Sequence, residues 1–421
     1  MKKLIPILLV LTLSGVLGAC LSGAQPEATE APTATPEPSI QIPTENPLDA
    51  GEEPTCIANP PLPTPSAEDL SVFTPDPEQD WIKGPDDAAI TIIEYADFQC
   101  PYCSFASQNL QSLLEKYPED VRVVYRHFPL ASIHDKAIPA AQAAEAAGRQ
   151  GEDAFWDMHD LLYETQAEWS ELSVEEFVSW VSDAAADLGL DRTQFEAEYS
   201  SQEIVDLTQA AWIEGQELGI PGTPYLKVNS LFEPQATAQD LTVHVEMIKL
   251  IDQQFTACPP MTVDPDASYQ AIVETEKGNF VIDLFPDVAP MAVNSFIFLA
   301  ENGWFDGITF HRVLDGFMAQ TGDPSGTGYG NPGYRFSNET SPELVFDREG
   351  LVAMANVGPD SNGSQFFITY DAAPDLNGGY TIFGEIVEGM DVVRNITLRD
   401  PQSGEDLPPG DTLITITIER Q

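Results

Sequence analysis

The spacing of hydrophobic residues changes several times along this chain, and the changes mark out its elements. Apolar β-type runs at 89–95 and 121–128 enclose a stretch at 105–117 whose apolar residues have helical spacing. This order predicts a strand–helix–strand unit. Helical periodicity then recurs at 137–148, 152–163, 174–188 and 202–218, and a Gly- and Pro-rich break at 219–224 precedes a strand at 225–228. The pattern predicts an α/β domain over residues 81–258.

A second pattern begins at Tyr269, after a proline-containing linker at 259–268. Alternating apolar residues on both sides of Lys277-Gly278-Asn279 predict a β-hairpin. A helix is predicted at 288–302, followed by short strands separated by glycine-rich turns, the last of them at 413–418. For residues 269–421 we therefore predict a closed β-barrel with covering helices. The whole chain is expected to be multidomain.

The first 20 residues have the pattern of a secretion signal. Two lysines precede an almost wholly apolar run at 4–13, which is too short to span a membrane. The end of this segment, LGAC at 17–20, resembles the bacterial lipoprotein lipobox, which implies that Cys20 is lipidated and becomes the mature N-terminus. Two or more acyl chains would anchor the protein stably. The alternative is a plain cleaved signal with a chance cysteine.

Residues 21–80 are rich in proline and acidic residues and contain no Lys or Arg. Such a composition cannot form an apolar face, so we predict an extended, disordered tether. Cys56 is the exception within it. An exported protein can form disulfides, and Cys258 is the one cysteine without another assigned role, so we expect a Cys56–Cys258 disulfide. Spacing alone does not determine this connectivity.

The charge of the chain is extreme. Its 421 residues are 43% hydrophobic, which is ordinary for globular protein, but 18 basic residues face 68 acidic ones for a formal net charge of -50. Such a surface repels nucleic acid and anionic lipid, so neither is an expected partner. The length allows two or three domains.

The candidate redox chemistry lies in the segment DFQCPYC, residues 97–103. Cys100 is predicted at the start of a helix, where free N–H groups and the helix dipole stabilise a thiolate. Cys103, three positions on, can attack a mixed disulfide formed by Cys100. Two alternatives are half of a zinc site and an inert structural disulfide. The chain offers no second ligand pair for zinc, and so tight a spacing favours a labile bond.

Three motifs make residues 81–258 similar to the DsbA-like thiol–disulfide oxidoreductases, which have a thioredoxin fold with a helical insertion. They are DFQCPYC (97–103), RHFPL (126–130) and GTP (222–224). The resemblance implies a cis bond before Pro224 beside the cysteines, and a buried acid at Glu94 that assists proton transfer at Cys103. A solvated strand carboxylate is the alternative for Glu94.

The resemblance leaves the direction of electron flow open. Oxidising members often have His between the two cysteines, whereas this chain has Pro101 and Tyr102. Because Tyr102 offers no positive charge to the thiolate, the reduced form is less favoured and the reduction potential is expected to be lower. Oxidase, isomerase and reductase roles all stay open.

Residues 269–421 resemble a cyclophilin, a peptidyl-prolyl cis-trans isomerase. The matching motifs are FHRV (310–313), GFMAQTGD (316–323), MAN (354–356) and NGSQFFI (362–368). Rotation about an X-Pro bond faces a barrier of about 18–20 kcal/mol from amide resonance. A guanidinium directed at the prolyl nitrogen favours the twisted transition state, and by this resemblance the group is Arg312.

The resemblance also implies a dry pocket for the proline ring and hydrogen bonds to the substrate backbone. The residues assigned to substrate binding are Phe317, Met318, Gln320, Ala355, Asn356, Phe367, Leu376 and Tyr380. The alternative is that the aromatic residues are simply barrel core. One departure is Asp375, where many members have an aromatic residue, often Trp; this removes an apolar wall. Tyr380 at a family histidine position is a milder change.

These observations together predict an exported, lipid-anchored folding factor with two catalytic modules, since disulfide exchange and prolyl isomerisation both limit the folding of secreted proteins. Folding secreted polypeptides and an unidentified redox partner are the expected partners, with no cofactor and no metal. One alternative is a cyclophilin domain that binds clients without catalysis. Another is a dedicated reductase for one partner.

Overall fold

The computed structural model describes residues 55–403 and 407–421. The predicted signal, Cys20 and the predicted tether up to residue 54 lie outside the described residues. In the part that is described, no helix is both long and apolar enough to cross a membrane.

Residues 55–80 are structured, in place of the disordered tether predicted up to Asp80. Strand β1 (Cys56–Ala58) pairs with residues 334–336 of the C-terminal domain, and helix α1 (Ala67–Val72) follows. Ser66 caps α1 by accepting a hydrogen bond from the Asp69 N–H. Arg126 donates to the carbonyls of Val72 and Thr74 and so ties the segment to the N-terminal domain. Long-range contacts, which composition does not reveal, order this proline-rich segment.

The N-terminal domain is built on a four-stranded sheet with the order β2–β4–β3–β5. Its strands and the helix between the central pair are β2 (Trp81–Lys83), β3 (Ile90–Ala96), α2 (Pro101–Lys116), β4 (Val121–His127) and β5 (Tyr225–Val228). Strands β3 and β4 are parallel and joined through α2, as the apolar pattern predicted. Strand β5 returns antiparallel to β3, which places the chain before β5 beside the start of α2.

Between β4 and β5, all of which is described, the chain forms six helices. They are α3 (Ala137–Gly148), α4 (Glu152–Glu164), α5 (Gln166–Trp169), α6 (Val174–Asp187), α7 (Arg192–Tyr199) and α8 (Gln202–Glu217). Alanines on α3 pack closely against α4, because small side chains let the two helices approach. After β5 comes α9 (Ala238–Leu250), which the sequence analysis did not predict, although Thr237 provides an N-cap.

The C-terminal domain contains most of the remaining strands. Its elements are β6 (Tyr269–Thr275), β7 (Gly278–Leu284), α10 (Pro290–Glu301), β8 (Ile308–Thr309), β9 (Arg312–Leu314), β10 (Met318–Thr321), β11 (Tyr334–Phe336), β12 (Leu351–Met354), β13 (Phe366–Thr369), β14 (Ile382–Glu388), α11 (Met390–Arg394) and β15 (Thr412–Arg420). The predicted hairpin is β6–β7, the predicted helix is α10 and the predicted last strand is β15.

The predicted closure of the barrel is not confirmed. Among the described residues, the strands form a sheet with the order β8–β15–β6–β7–β14–β12–β13–β10–β9. The outer strands β8 and β9 pair with β15 and β10 and not with each other. Only residues 310–311 connect β8 to β9. The chain therefore runs directly from one edge strand of the sheet to the other, and the two strands do not form a hairpin. The sheet curls around a core of buried aromatic residues, including Phe296, Phe305 and Phe366.

Cys56 and Cys258 form a disulfide, in the pairing that the sequence suggested. Both cysteines pack against the core of the C-terminal domain. The N-terminal domain therefore lies within a covalent loop whose two ends are held on the C-terminal domain.

Candidate functional site

Two candidate sites lie in the described residues, one in each domain. At the first, Cys100 is the N-cap of α2 and Pro101 is its first helical residue, a position that proline favours because no backbone N–H is needed there. The Cys103 N–H donates to the Cys100 carbonyl over 3.1 Å, so the two residues share the first helical turn. Both cysteines are free thiols, and both are buried.

The residues before β5 face the cysteine pair. The Cys100 thiol lies 3.4 Å from the carbonyl oxygen of Thr223. The Thr223–Pro224 peptide bond is cis, as the family resemblance implied. Proline is the residue type in which this conformation is commonly found. The carbonyl that precedes this cis bond thus lies against the Cys100 thiol.

The two thiols have opposite electrostatic environments. The hydrogen bond from Cys103, together with backbone N–H groups at the helix start, lowers the pKa of Cys100 to about 6. Burial raises the pKa of Cys103 well above its ordinary value, although the Asp97 N–H lies 3.5 Å from its sulfur. At neutral pH, these shifts favour a thiolate at Cys100 and a protonated thiol at Cys103.

Glu94 is buried inside the sheet, so the alternative that it is a solvated strand carboxylate is wrong. It lies on β3, opposite Tyr125 on β4, and is only 1% exposed. Within the part of the chain that is described, its Oε1 atom has no hydrogen-bond partner. Burial, followed by repulsion from Cys100, raises the pKa of Glu94 to about 8. A carboxyl group with this pKa can gain or lose a proton near neutral pH.

A second acid, which was not predicted from the sequence, lies at this site. Asp97 is buried and accepts hydrogen bonds from the backbone N–H groups of Gln99 and Leu130. It also lies 2.7 Å from Nδ1 of His134, and this bond raises the pKa of that imidazole. The position of Asp97 at the start of the cysteine motif was a signal, but nothing in the sequence indicated His134 as its partner.

Apolar side chains around the thiol pair are exposed to solvent. Tyr102 and Phe105 on the first turns of α2 are 71% and 64% exposed, and Ile133 in the loop after β4 is 71% exposed. Exposed apolar side chains near a reactive group are typical of a binding site for polypeptides.

The second candidate site is on the curled sheet of the C-terminal domain. Arg312 on β9 lies directly opposite Gln320 on β10, and its Nη1 lies 3.5 Å from the Gln320 Oε1 and 3.9 Å from the Met318 sulfur. Gln320 in turn pairs with Phe367 on β13. The antiparallel register thus places a guanidinium, an amide and an aromatic ring in one row across three strands.

An apolar pocket adjoins this row. Met318, Phe346 and Phe367 are buried in one cluster, and Phe346 and Phe367 stack with ring centroids 5.9 Å apart. The other predicted pocket residues, Phe317, Ala355, Leu376 and Tyr380, are partly buried against the same cluster. The structure therefore brings together the apolar residues assigned to substrate binding. The partial exposure of several of them fits a pocket better than a closed barrel core.

Asn356 lies on the rim of this pocket. Its side-chain amide donates to the Gly379 carbonyl over 3.0 Å, which joins the loop after β12 to the loop before β14. Gln365 was missed as a site residue, although it lies inside the quoted motif at 362–368. Its side chain accepts a hydrogen bond from Gln320 over 2.9 Å and is therefore part of the row that begins at Arg312. Side chains two positions apart on an extended chain lie on the same face of a sheet. The position of Gln365, two residues before Phe367, therefore already indicated that it faces the site.

Asp375 is exposed in a short 3-10 helix (Pro374–Leu376), so it supplies no apolar wall to the pocket. The Tyr380 ring partly replaces that wall, because it meets Phe367 edge to face at 5.7 Å. Across residues 55–403 and 407–421, no cluster of three or more His, Cys, Asp or Glu side chains is arranged to hold a metal ion.

Comparison with known protein families agrees with this division into two domains. Residues 270–418 match the family described as cyclophilin type peptidyl-prolyl cis-trans isomerase/CLD, and residues 76–246 match the family described as thioredoxin. The chain is 43% identical over 179 residues to peptidyl-prolyl cis-trans isomerase A of Mycobacterium tuberculosis, covering 38% of this chain and 98% of that protein. It is 40% identical over 161 residues to peptidyl-prolyl cis-trans isomerase-like 1 of Mus musculus, covering 38% of this chain and 95% of that protein.

A crystal structure of a cyclophilin type peptidyl-prolyl cis-trans isomerase from Cryptosporidium parvum is also similar. It is 34% identical, covers 36% of this chain and 98% of that chain, and has a TM-score of 0.34. Through its C-terminal domain, this chain belongs to the cyclophilin-type peptidyl-prolyl cis-trans isomerase family. A thioredoxin-like domain precedes that domain.

Proposed function

We propose that this protein is an extracytoplasmic folding factor that combines prolyl isomerisation centred on Arg312 with thiol–disulfide exchange at Cys100 and Cys103. Its clients are folding secreted polypeptides. The observation that carries the proposal is the presence of two complete sites in one chain. One is a guanidinium beside an apolar pocket, and the other is an acidified thiol at the start of a helix.

The isomerase site acts without a covalent step. The apolar cluster of Met318, Phe346 and Phe367 receives the proline ring, and Asn356 hydrogen-bonds the peptide backbone. Arg312 is directed at the prolyl nitrogen, whose lone pair becomes localised only when the amide twists out of conjugation. The interaction is therefore stronger in the transition state than in the ground state and lowers the barrier to rotation.

The test of isomerisation is an assay of a proline-containing peptide with the full chain and with Arg312→Ala. Loss of a group that acts in the transition state should lower kcat/KM by roughly 100-fold or more, mainly through kcat. Arg348→Ala is the matched control, because Arg348 forms exposed ion pairs with Asp347 and Glu385. Equal activity of Arg312→Ala and Arg348→Ala would refute the role of Arg312.

The thiol site works through a mixed disulfide. The Cys100 thiolate attacks a client disulfide, so a bond forms between Cys100 and one client sulfur while the other client sulfur leaves as a thiolate. In molecules in which Glu94 is ionised, Cys103 gives its proton to that carboxylate and attacks the Cys100 sulfur, which releases the second client thiolate. The client gains two electrons, and the protein is left with a Cys100–Cys103 disulfide. The reverse sequence oxidises a client dithiol.

The test of exchange is the reaction of the reduced protein with a disulfide-containing peptide. Cys103→Ser should accumulate the mixed disulfide, visible by intact mass, whereas Cys100→Ser should form none. Exchange at the wild-type rate in Cys100→Ser would refute the assignment. The reduction potential of the pair then gives the direction of flow. A value near roughly -120 mV fits an oxidant, and one near roughly -270 mV fits a reductase that needs an electron donor.

The proposed location rests on the resemblance of residues 17–20 to a lipobox. Lipidation of Cys20 would hold the protein on the outer face of the cell membrane, where secreted clients and an unidentified redox partner are found. The test is incorporation of a labelled fatty acid by the full chain. Cys20→Ser should abolish labelling and release the protein from the membrane fraction. Retained labelling in that variant would contradict the anchor.

A second candidate function is a C-terminal domain that binds clients without isomerising them. The exposed side chain of Asp375 supports it, because this residue gives the pocket no aromatic wall and Tyr380 replaces such a wall only in part. The two candidates differ in one measurement. Peptide binding without faster isomerisation by the wild-type chain would favour the binding module, and isomerisation that depends on Arg312 would exclude it.

A further inference from the structure

The glycine-rich loop after β10, residues 323–333, is hydrogen-bonded both to the segment that follows α9 and to Gln365 of the isomerase site. We call it the glycine loop. Two segments from outside the isomerase domain hold its end, residues 55–59 and 254–258, and the Cys56–Cys258 disulfide joins the two segments. We call these disulfide-linked segments the clasp. Both belong to the same compact unit as the two domains.

The clasp makes backbone and side-chain hydrogen bonds to the glycine loop. They are Asn59 N–H to the Gly333 carbonyl (2.8 Å), the Asn59 amide to Asn331 Oδ1 (2.8 Å), Phe255 N–H to the Pro332 carbonyl (2.9 Å), and the Gln254 amide to the Asn331 carbonyl (3.1 Å). Strand β1 extends this contact by pairing with β11, directly after the loop. Three consecutive loop residues are thus fixed by the clasp.

Side-chain packing strengthens this contact. The Phe255 ring lies 4.8 Å from that of Phe298 and 6.0 Å from that of Trp304, centroid to centroid, so it is anchored in the aromatic core of the isomerase domain. Leu250, at the end of α9, is buried in the same core. The last turn of the thioredoxin-like domain is thus part of the isomerase core.

The close approach of the clasp to the glycine loop explains why residue 333 is a glycine. Gly333 has φ +87°, and a Cβ atom there would lie 2.1 Å from the Phe255 carbonyl oxygen. Any other residue would combine an unfavourable backbone conformation with a backbone clash. The loop therefore packs directly against the main chain of the clasp.

A row of hydrogen bonds leads from the glycine loop to the guanidinium. The Gln365 amide nitrogen donates to the carbonyls of Gly328 and Gly330, each over 2.9 Å. The Gln365 oxygen accepts from Gln320 over 2.9 Å, and Arg312 lies 3.5 Å from the Gln320 oxygen. Each bond fixes the amide orientation required by the next, so the position of the loop carbonyls determines where the guanidinium rests.

We propose that the clasp positions Arg312 for prolyl isomerisation, acting through the glycine loop, Gln365 and Gln320. Phe255 is the positioning residue at its centre. The inference rests on the proposed isomerase function and adds that the thioredoxin-like half of the chain supports this catalysis. Displacement of a catalytic group by about 1 Å can lower a rate roughly 100-fold, so a modest loosening of the loop is enough to be measured.

The experiment compares kcat and KM for a prolyl peptide in the full chain and three variants. Phe255→Ala removes the aromatic ring that packs against the isomerase core. Cys56→Ser/Cys258→Ser removes the disulfide of the clasp and replaces each cysteine by a side chain of similar size. Phe255→Leu keeps an apolar side chain of similar size and should restore activity. Phe232→Ala is the matched control, because Phe232 is a partly buried ring in the thioredoxin-like domain that packs against His244. Melting temperatures are recorded for all the proteins.

We expect about a tenfold lower kcat in Phe255→Ala and in the double serine variant, with KM changed by less than about twofold, because Arg312 acts in the transition state. Phe255→Leu should recover most of the rate, and Phe232→Ala should keep it even where its melting temperature falls. Unchanged kcat in Phe255→Ala and the double variant, at temperatures where both are folded, would overturn the inference. Absence of isomerisation in the wild type would instead refute the proposed function.

Discussion

Glu94 is a carboxylic acid in an environment that is unusual for its type. It is buried opposite Tyr125, its Oε1 atom lacks a hydrogen-bond partner among the described residues, and its pKa is about 8. Since the ordinary pKa of the group is 4.5, the folded protein holds a proton there that the unfolded chain releases. The proton bound to Glu94 stabilises the folded state fully only below pH 4.5. Its contribution to the free energy of unfolding is lost as the pH rises through 8.

Replacing Glu94 by glutamine, which does not titrate, should therefore change how stability depends on pH. We expect the free energy of unfolding of Glu94→Gln to exceed that of the wild type by an amount that grows between pH 4.5 and 8 and then levels off, reaching up to a few kcal/mol. Denaturant unfolding at several pH values measures it. Glu203→Gln, at a mainly exposed carboxylate, is the control. A constant difference between Glu94→Gln and the wild type across this range would contradict the prediction.

Asp375 permits a second test at the scale of one side chain. Asp375→Trp should restore an apolar wall beside Phe367 and shield a bound proline ring from water. About 1 kcal/mol of added apolar contact corresponds to roughly fivefold in affinity, so KM should fall by that factor with little change in kcat. The same substitution at Asp157, an exposed acid on α4, should leave both constants unchanged. A higher KM in Asp375→Trp would mean that the open side of the pocket is used by the substrate.

Elements differ in how firmly local sequence determines their ends. Helix α6 begins with a complete capping box, in which the Ser173 hydroxyl accepts from the Glu176 N–H and the Glu176 carboxylate accepts from the Ser173 N–H. Phe177 and Val181 of the same helix are fully buried. Local capping and tertiary burial therefore favour the same helix.

Ser173→Ala should cost about 1 kcal/mol of stability, because the Glu176 N–H at the start of α6 loses the hydroxyl that accepts its hydrogen bond. Thermal or denaturant unfolding measures the loss. Ser112→Ala on α2 is a suitable control, since that hydroxyl only donates to the Gln108 carbonyl within its own helix. Equal destabilisation by the two substitutions would show that the cap has no special role.

The sequence allowed prediction of elements that carry their own pattern, such as α2, α10 and the β6–β7 hairpin. It did not allow prediction of β1, because three residues in a proline-rich segment have no periodicity and their partner lies more than 270 positions away. The same reason applies at the sites. Cys100 and Arg312 carry recognisable motifs, whereas His134 and Phe255 gain their roles only from residues that folding brings beside them.

The whole molecule carries far more negative charge than its ion pairs can balance. Its 68 acidic residues outnumber its 18 basic ones, for a formal net charge of -50. Repulsion among them opposes the compact state more than the extended one. Salt screens such repulsion between exposed charges, with a Debye length of about 8 Å near 0.15 M ionic strength.

Adding sodium chloride from a few millimolar to about 0.3 M should therefore raise the melting temperature by several degrees. Calorimetry at neutral pH measures the shift. A neutral sugar at the same osmolality controls for general solute effects and should give a smaller change over this range. A fall in melting temperature with salt would indicate that the ion pairs outweigh the repulsion.

The Cys56–Cys258 disulfide has a topological consequence for proteolysis. The bond has a sequence separation of 202 residues, and the thioredoxin-like domain lies within the loop that it closes. A single peptide-bond cut anywhere between these cysteines would leave one covalent molecule, and the fragments would separate only after reduction. Nicked and intact protein should therefore have the same mass, apart from one added water, until a reductant is present. Two cuts within the loop would instead release the intervening domain and leave the isomerase intact.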